Sequence, residues 1–201
     1  MRLFLTASVI VLALSNASAF AADEKKPANQ TETPVSEWMD AENAMIDGLK
    51  KKQKETVFIL RNKHGVIRSV RVVDRDVGNA VKACGKENPE IRKDMDTRFK
   101  DWQNAVLPIL DTAQDFLDKE IDSQKTVDAK ELRSVLKLND AAYAFGESKI
   151  EKMPVTEKEA CRDLLKSMDR TEDQLITLLQ DMLLPENVIR ERAERASKDQ
   201  E

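Results

Sequence analysis

Between Ile91 and Ile121 an apolar residue recurs every third or fourth position: Ile91, Met95, Phe99, Trp102, Val106, Leu110, Ala113, Leu117 and Ile121. That spacing puts all of them on one face of an α-helix about eight turns long. A helix with one apolar face must bury it against something, and the remainder of the chain offers chiefly other helices of the same kind. Asn88-Pro89 reads as an N-cap followed by proline at the first helical position. Pro108 removes one backbone hydrogen bond and is expected to bend this helix without ending it, since the stripe continues beyond it.

The same period appears, less cleanly, on both sides. Ser36 is expected to cap a first helix carrying Trp38, Ala41, Met45, Leu49, Thr56 and Ile59, with the period weakening near Gly48. Asn62-Lys63-His64-Gly65 reads as a break. A second helix then carries Val66, Val70, Val73, Val77, Val81 and Cys84. The β-branched runs 57–60 and 66–73 flank that break and compete as a β-hairpin. The helix is preferred because its period runs unbroken to Cys84. Asp128 caps a helix bearing Leu132, Val135, Leu136, Asn139, Ala142, Tyr143 and Ile150. Thr156 to Glu159 reads as a capping box opening a helix with Cys161, Leu164, Met168, Leu175, Leu178 and Met182 on its face, stopped by Pro185.

Short connectors between long amphipathic helices predict an all-α, up-down antiparallel bundle of four to five long helices. Following the direction of travel, the helix ending at Cys84 finishes at the end of the bundle where the helix containing Cys161 starts. The two cysteines are therefore expected to form one interhelical disulfide.

That bond agrees with the start of the chain. Arg2, the apolar run Leu3 to Leu14 and the Ala19-Phe20-Ala21 site have the form of a cleaved secretory signal peptide. The expected organisation is a signal peptide over 1–21, a polar disordered linker over 22–35, the helical domain over 36–184 and a charged tail over 185–201. The apolar run is shorter than the ~20 residues that span a bilayer, so no transmembrane span is expected after cleavage. The expected location is periplasmic or secreted.

Charge and motif content narrow the function. The chain carries a net charge of −4, which becomes −5 when Arg2 leaves with the signal. A mildly acidic chain lacks the basic footprint of a nucleic-acid binder. With a single histidine, His64, in an expected solvated turn, the chain offers no Glu-x-x-His di-iron motif, no C-x-x-C-H haem site and no second histidine for a serine nucleophile. No catalytic residue, metal or cofactor is expected. Met45, Met95, Met168 and Met182 are expected to fill core gaps. The acidic stripe Asp111, Asp115, Asp118 and Asp122 is expected to pair across a helical hairpin, with Asp122 facing Lys130, Asp118 facing Arg133 and Asp115 facing Lys137.

One charge asymmetry stands out. Residues 50–75 hold nine Lys and Arg against Glu55 and Asp74. Lys50, Lys51, Lys52, Lys54, Arg61, Arg68 and Arg71 are the candidate partner-binding residues, for an acidic protein or an anionic envelope component such as a lipid surface or glycan. Alternatively, this segment packs on the acidic remainder of its own bundle. The leading expectation is a non-enzymatic envelope protein acting by binding, as an adaptor or chaperone-like module. A ligand- or metal-carrying bundle is the alternative.

Overall fold

In a computed structural model the described residues are 32–184. The expected signal peptide, most of the expected linker and the expected charged tail lie outside them. Among the described residues the chain forms five helices and no strand: α1 (Pro34–Ile46), α2 (Lys51–Glu87), α3 (Arg92–Ser123), α4 (Ala129–Glu147) and α5 (Lys158–Met182). The bundle is all-α, and the hairpin alternative over 57–73 is excluded.

The break between the first two helices lies earlier than its sequence suggested. α1 starts on Thr33, whose hydroxyl accepts from Ser36 N at 3.2 Å while Ser36 Oγ accepts from Thr33 N at 2.9 Å. Ser36 is thus the third residue of a capping box, not the cap, and the helix reaches into the last two residues of the expected linker. It ends at Gly48, whose φ of 74° is the left-handed turn that glycine adopts without a Cβ penalty. α2 then runs straight through Asn62 to Gly65. Its buried face is Val57, Leu60, Lys63, Ile67 and Val70, so Lys63 occupies a core-facing position. The side chain of Lys63 is 5% exposed, and its ammonium meets Glu120 of α3 at 2.6 Å and lies over the Phe116 ring. That pairing lets a lysine stand where the apolar period had a gap.

α2 and α3 pack antiparallel along most of their lengths, roughly 55 and 48 Å at 1.5 Å per residue. Every member of the α3 stripe except half-buried Phe99 is buried, with Trp102 at 1% exposure in the core. Gly78 of α2 admits Phe99 closely: a Cβ there would meet its ring at 3.1 Å. Pro108 lies inside α3, on its exposed side. The α3–α4 turn is tied by Gln124, whose Oε1 accepts from Thr126 N and Val127 N. Asp128 caps α4 by accepting from Glu131 N at 2.9 Å. In that hairpin Arg133 takes both acids, Asp122 at 2.7 Å and Asp118 at 3.7 Å. The register expected for Asp118 is present, and Asp122 goes to Arg133 instead of Lys130.

α4 is shorter than α3 and packs on α1. Ser148 to Glu157 carries the chain over the remaining length to the far end of α2. There Cys84 and Cys161 form a disulfide, with 2.04 Å between sulfurs and 5.7 Å between Cα atoms. Asn88, expected to cap α3, is buried and does something else. Its Nδ2 donates to Thr156 O at 2.8 Å and to Cys84 O at 3.2 Å, tying the end of α2 to the connector. The cap position of α3 is Ile91, and that of α5 is Glu157, neither with a side-chain capping bond. Thr156 is held by its carbonyl through Asn88 and not used as the cap. α5 returns along α3 and α2, its middle fixed by Arg98 to Asp169 and Glu172.

Candidate functional site

Val73, Tyr143 and Leu178 share a history. Helical spacing puts each on the core face of its helix, yet they are 37%, 50% and 44% exposed. All three line one open trough. α2 forms its floor with Arg61, Asn62, Gly65, Val66, Ser69, Val70 and Val73. Trp38 of α1 with Asn139 and Tyr143 of α4 form one wall, and Leu175 and Leu178 of α5 form the other. The space is ≈ 540 Å³. A second depression of ≈ 310 Å³ adjoins it, sharing Asn62, Val66 and Leu178 and extending to Ile59, Lys63, Asp181, Met182 and Leu184. From Ile59 to Val73 the floor covers about 21 Å of helix.

The trough exists because α4 and α1 pack on each other while α5 packs on α3, leaving the α2 surface between them uncovered. Ile150, also assigned to the core by its spacing, is 64% exposed in the connector just beyond α4 and is not part of this trough.

Two polar groups in the trough wall have no hydrogen-bond acceptor. They are the indole Nε1 of Trp38 and Nε of Arg68, both buried. A buried N–H left without an acceptor costs about 1–3 kcal/mol. The Arg68 guanidinium carbon lies 3.2 Å from the Tyr143 ring centroid, and the Tyr143 ring lies 6.5 Å from that of Trp38. Stacking of that kind fixes the cation in place. Asp140 serves two partners: its Oδ1 makes a 2.8 Å hydrogen bond with His64 Nε2 and a longer ion pair with Arg68 Nε at 3.9 Å. His64, expected in a solvated turn, is therefore a half-buried residue in the middle of α2.

The basic segment separates into two groups. Lys50 precedes α2, and Lys51, Lys52 and Lys54 stand in its first turn, with no acid to offset the positive end of the helix dipole. Lys50, Lys51 and Lys52 are exposed and Lys54 half-buried. Further along, Arg61 meets Glu42 of α1 at 2.6 Å, Lys63 meets Glu120, and Arg75 meets Glu147 at 3.1 Å. Arg71 is exposed. Lys50 to Arg71 spans about 30 Å of helix, and much of the block is charge balance within the bundle. Of the candidate partner-binding residues only Arg61 and Arg68 line the trough. No spacing signal identifies Trp38, Asn139 or Leu178 as neighbours of Arg68, because they come from three other helices.

Met45, Met95, Met168 and Met182 are buried in the core. Among the described residues no group of three or more His, Cys, Asp or Glu side chains is placed to hold a metal ion, and no helix is long and apolar enough to cross a membrane. Compared with protein-family models, curated proteins and solved structures, the chain matches none.

Proposed function

We propose that this protein works by binding, holding an apolar helical segment of another protein in the trough over α2, and that it catalyses no reaction. The observation that carries this reading is the uncovered set Val73, Tyr143 and Leu178, core-type residues on three different helices that face one space. A buried apolar face stabilises a bundle, and a shared exposed one marks a surface that something covers. An open trough about four turns long fits the helix-in-groove mode, in which an amphipathic helix sets anchors at i, i+3 or i+4, and i+7 into a groove. The interhelical disulfide and the signal-like start of the chain support an exported adaptor or chaperone-like role, in the periplasm or outside the cell.

The test is fluorescence anisotropy with a panel of labelled model helices that carry leucine at i, i+3 and i+7. Wild-type protein is expected to bind members of the panel. Leu178→Asp and Val73→Asp are each expected to weaken binding at least tenfold with unchanged circular dichroism, because both side chains are already exposed. Absence of binding across the panel, or binding that both substitutions leave intact, overturns the proposal.

A further inference from the structure

Leu184, the last described residue, lines the depression that adjoins the trough. Residues 185–201 follow it, and their order has the marks of another helix. Asn187 is a good N-cap. Beyond it Ile189, Ala193 and Ala196 fall at i, i+4 and i+7, one narrow apolar stripe. Glu191 stands four positions before Arg195, and Glu194 four before Lys198, the orientation that supports a helix. A helix over 188–201 would be about 21 Å long, the length of the trough floor from Ile59 to Val73. So short a helix is marginal in water unless its apolar face is covered. Leu183 to Asn187 supply a connector of the size that joins antiparallel helices. The trough floor suits such a face. A Cβ at Gly65 would meet nothing within 4 Å, and Ser69, one turn on, folds its hydroxyl back to Gly65 O at 2.8 Å. Small residues on both sides let two helices approach closely.

We infer that residues 185–201 fold back from α5 and lie in the trough as a helix, which a partner must displace in order to bind. The inference rests on the trough being the binding surface and adds its regulation. α5 runs along α2 from Cys84 toward Ile59, so a chain that reverses after Leu184 travels from Asn62 toward Val73, along the open floor. Ile189 enters at the Asn62–Leu178 end, and Ala193 and Ala196 pass over Gly65 and Ser69. Arg190, Glu191, Glu194 and Lys198 fall on the opposite face, toward solvent. One isoleucine and two alanines bury little apolar area. The attached segment therefore holds the trough through its high local concentration and yields to a partner with larger anchors.

The experiment uses the full chain and two readouts. The first needs no partner: acrylamide quenching of Trp38, which lines the trough, while the other tryptophan, Trp102, is 1% exposed in the core. Ile189→Asp and Ala193→Glu each put a carboxylate in the apolar stripe and are expected to raise quenching at least twofold. Lys198→Gln makes the same change in net charge on the opposite face and should leave quenching as in wild type. The second readout is affinity for the labelled model helices, which should bind Ile189→Asp at least fivefold more tightly than wild type and Lys198→Gln equally. Quenching and affinity that both stripe substitutions leave at wild-type values overturn the docked segment and leave the trough reading to its own test. An equal rise in Lys198→Gln overturns it as well, because the stripe is then irrelevant. Shielding of Trp38 that is lost on dilution assigns the trough to the segment of a second copy and overturns the intramolecular form. Raised quenching in both stripe variants, with no helix bound by any of the proteins, upholds the docked segment and overturns the trough as a site for another protein's helix.

Discussion

Asp76 sits between two cations, Arg75 beside it on α2 and Lys152 in the connector at 2.8 Å. The hydrogen bond from Arg75, then that from Lys152, holds its carboxyl below the ordinary aspartate range despite the opposing effect of burial. A depressed carboxyl favours the folded state fully above its unfolded value, and that contribution is lost as the pH falls through the lower folded value. Acid is therefore expected to free Lys152 and loosen the connector before the helices melt. Amide exchange over residues 148–157 as a function of pH checks this, and Asp76→Asn should show the loosened connector already at neutral pH. A connector whose exchange is unchanged in Asp76→Asn would show that the disulfide and Asn88 hold it alone. Single-residue reading succeeded where the partner is local, as for Asp128 capping α4. It failed for Asn88, Thr156 and His64, whose partners lie 68 to 76 positions away in the chain. An asparagine before a proline carries the N-cap signal whether or not a distant carbonyl claims its side chain.

At the scale of the helix, two glycines mark the limit of reading breaks from composition. Gly48 ends α1 with a φ of 74°, whereas Gly65 lies within α2 and a Cβ there would meet nothing within 4 Å. Both weaken a helix, but only at Gly48 does the chain need the left-handed backbone. Gly65→Ala is accordingly expected to stabilise the protein by about 0.5–1 kcal/mol, because alanine restricts the unfolded chain and favours the helix without a clash. Urea unfolding measures it, and a loss of stability would mean that α2 is bent or opened at this point. The stripe on α3 was fully legible because nine positions agree on one face. The start of α2 was not, since the buried Lys63 breaks an apolar count that its pairing with Glu120 restores in three dimensions.

Across the whole molecule the disulfide closes a separation of 77 positions and joins the end of α2 to the start of α5. A loop of that size contributes about 4 kcal/mol on the chain-entropy account. Replacing both cysteines by serine is expected to lower Tm by roughly 8–16 °C for a domain of this size, with helical content unchanged at 20 °C. A shift under about 2 °C would show that packing alone positions α5. The bridge was deducible from the direction of travel of successive helices, a property that short connectors impose. The trough was not. Periodicity marked Val73, Tyr143 and Leu178 as apolar-face residues, whereas the break expected at Asn62 to Gly65 separated Arg61 from Arg68, which α2 carries on one helix. By itself, then, the amino-acid order determined helices, their apolar faces and the pairing of cysteines, because those follow from neighbours three or four positions apart and from chain direction. Only the tertiary structure decided which stretches of those faces are covered, since α1 with α4 and α5 with α3 divide the surface of α2 unequally, and that choice depends on how whole helices fit together.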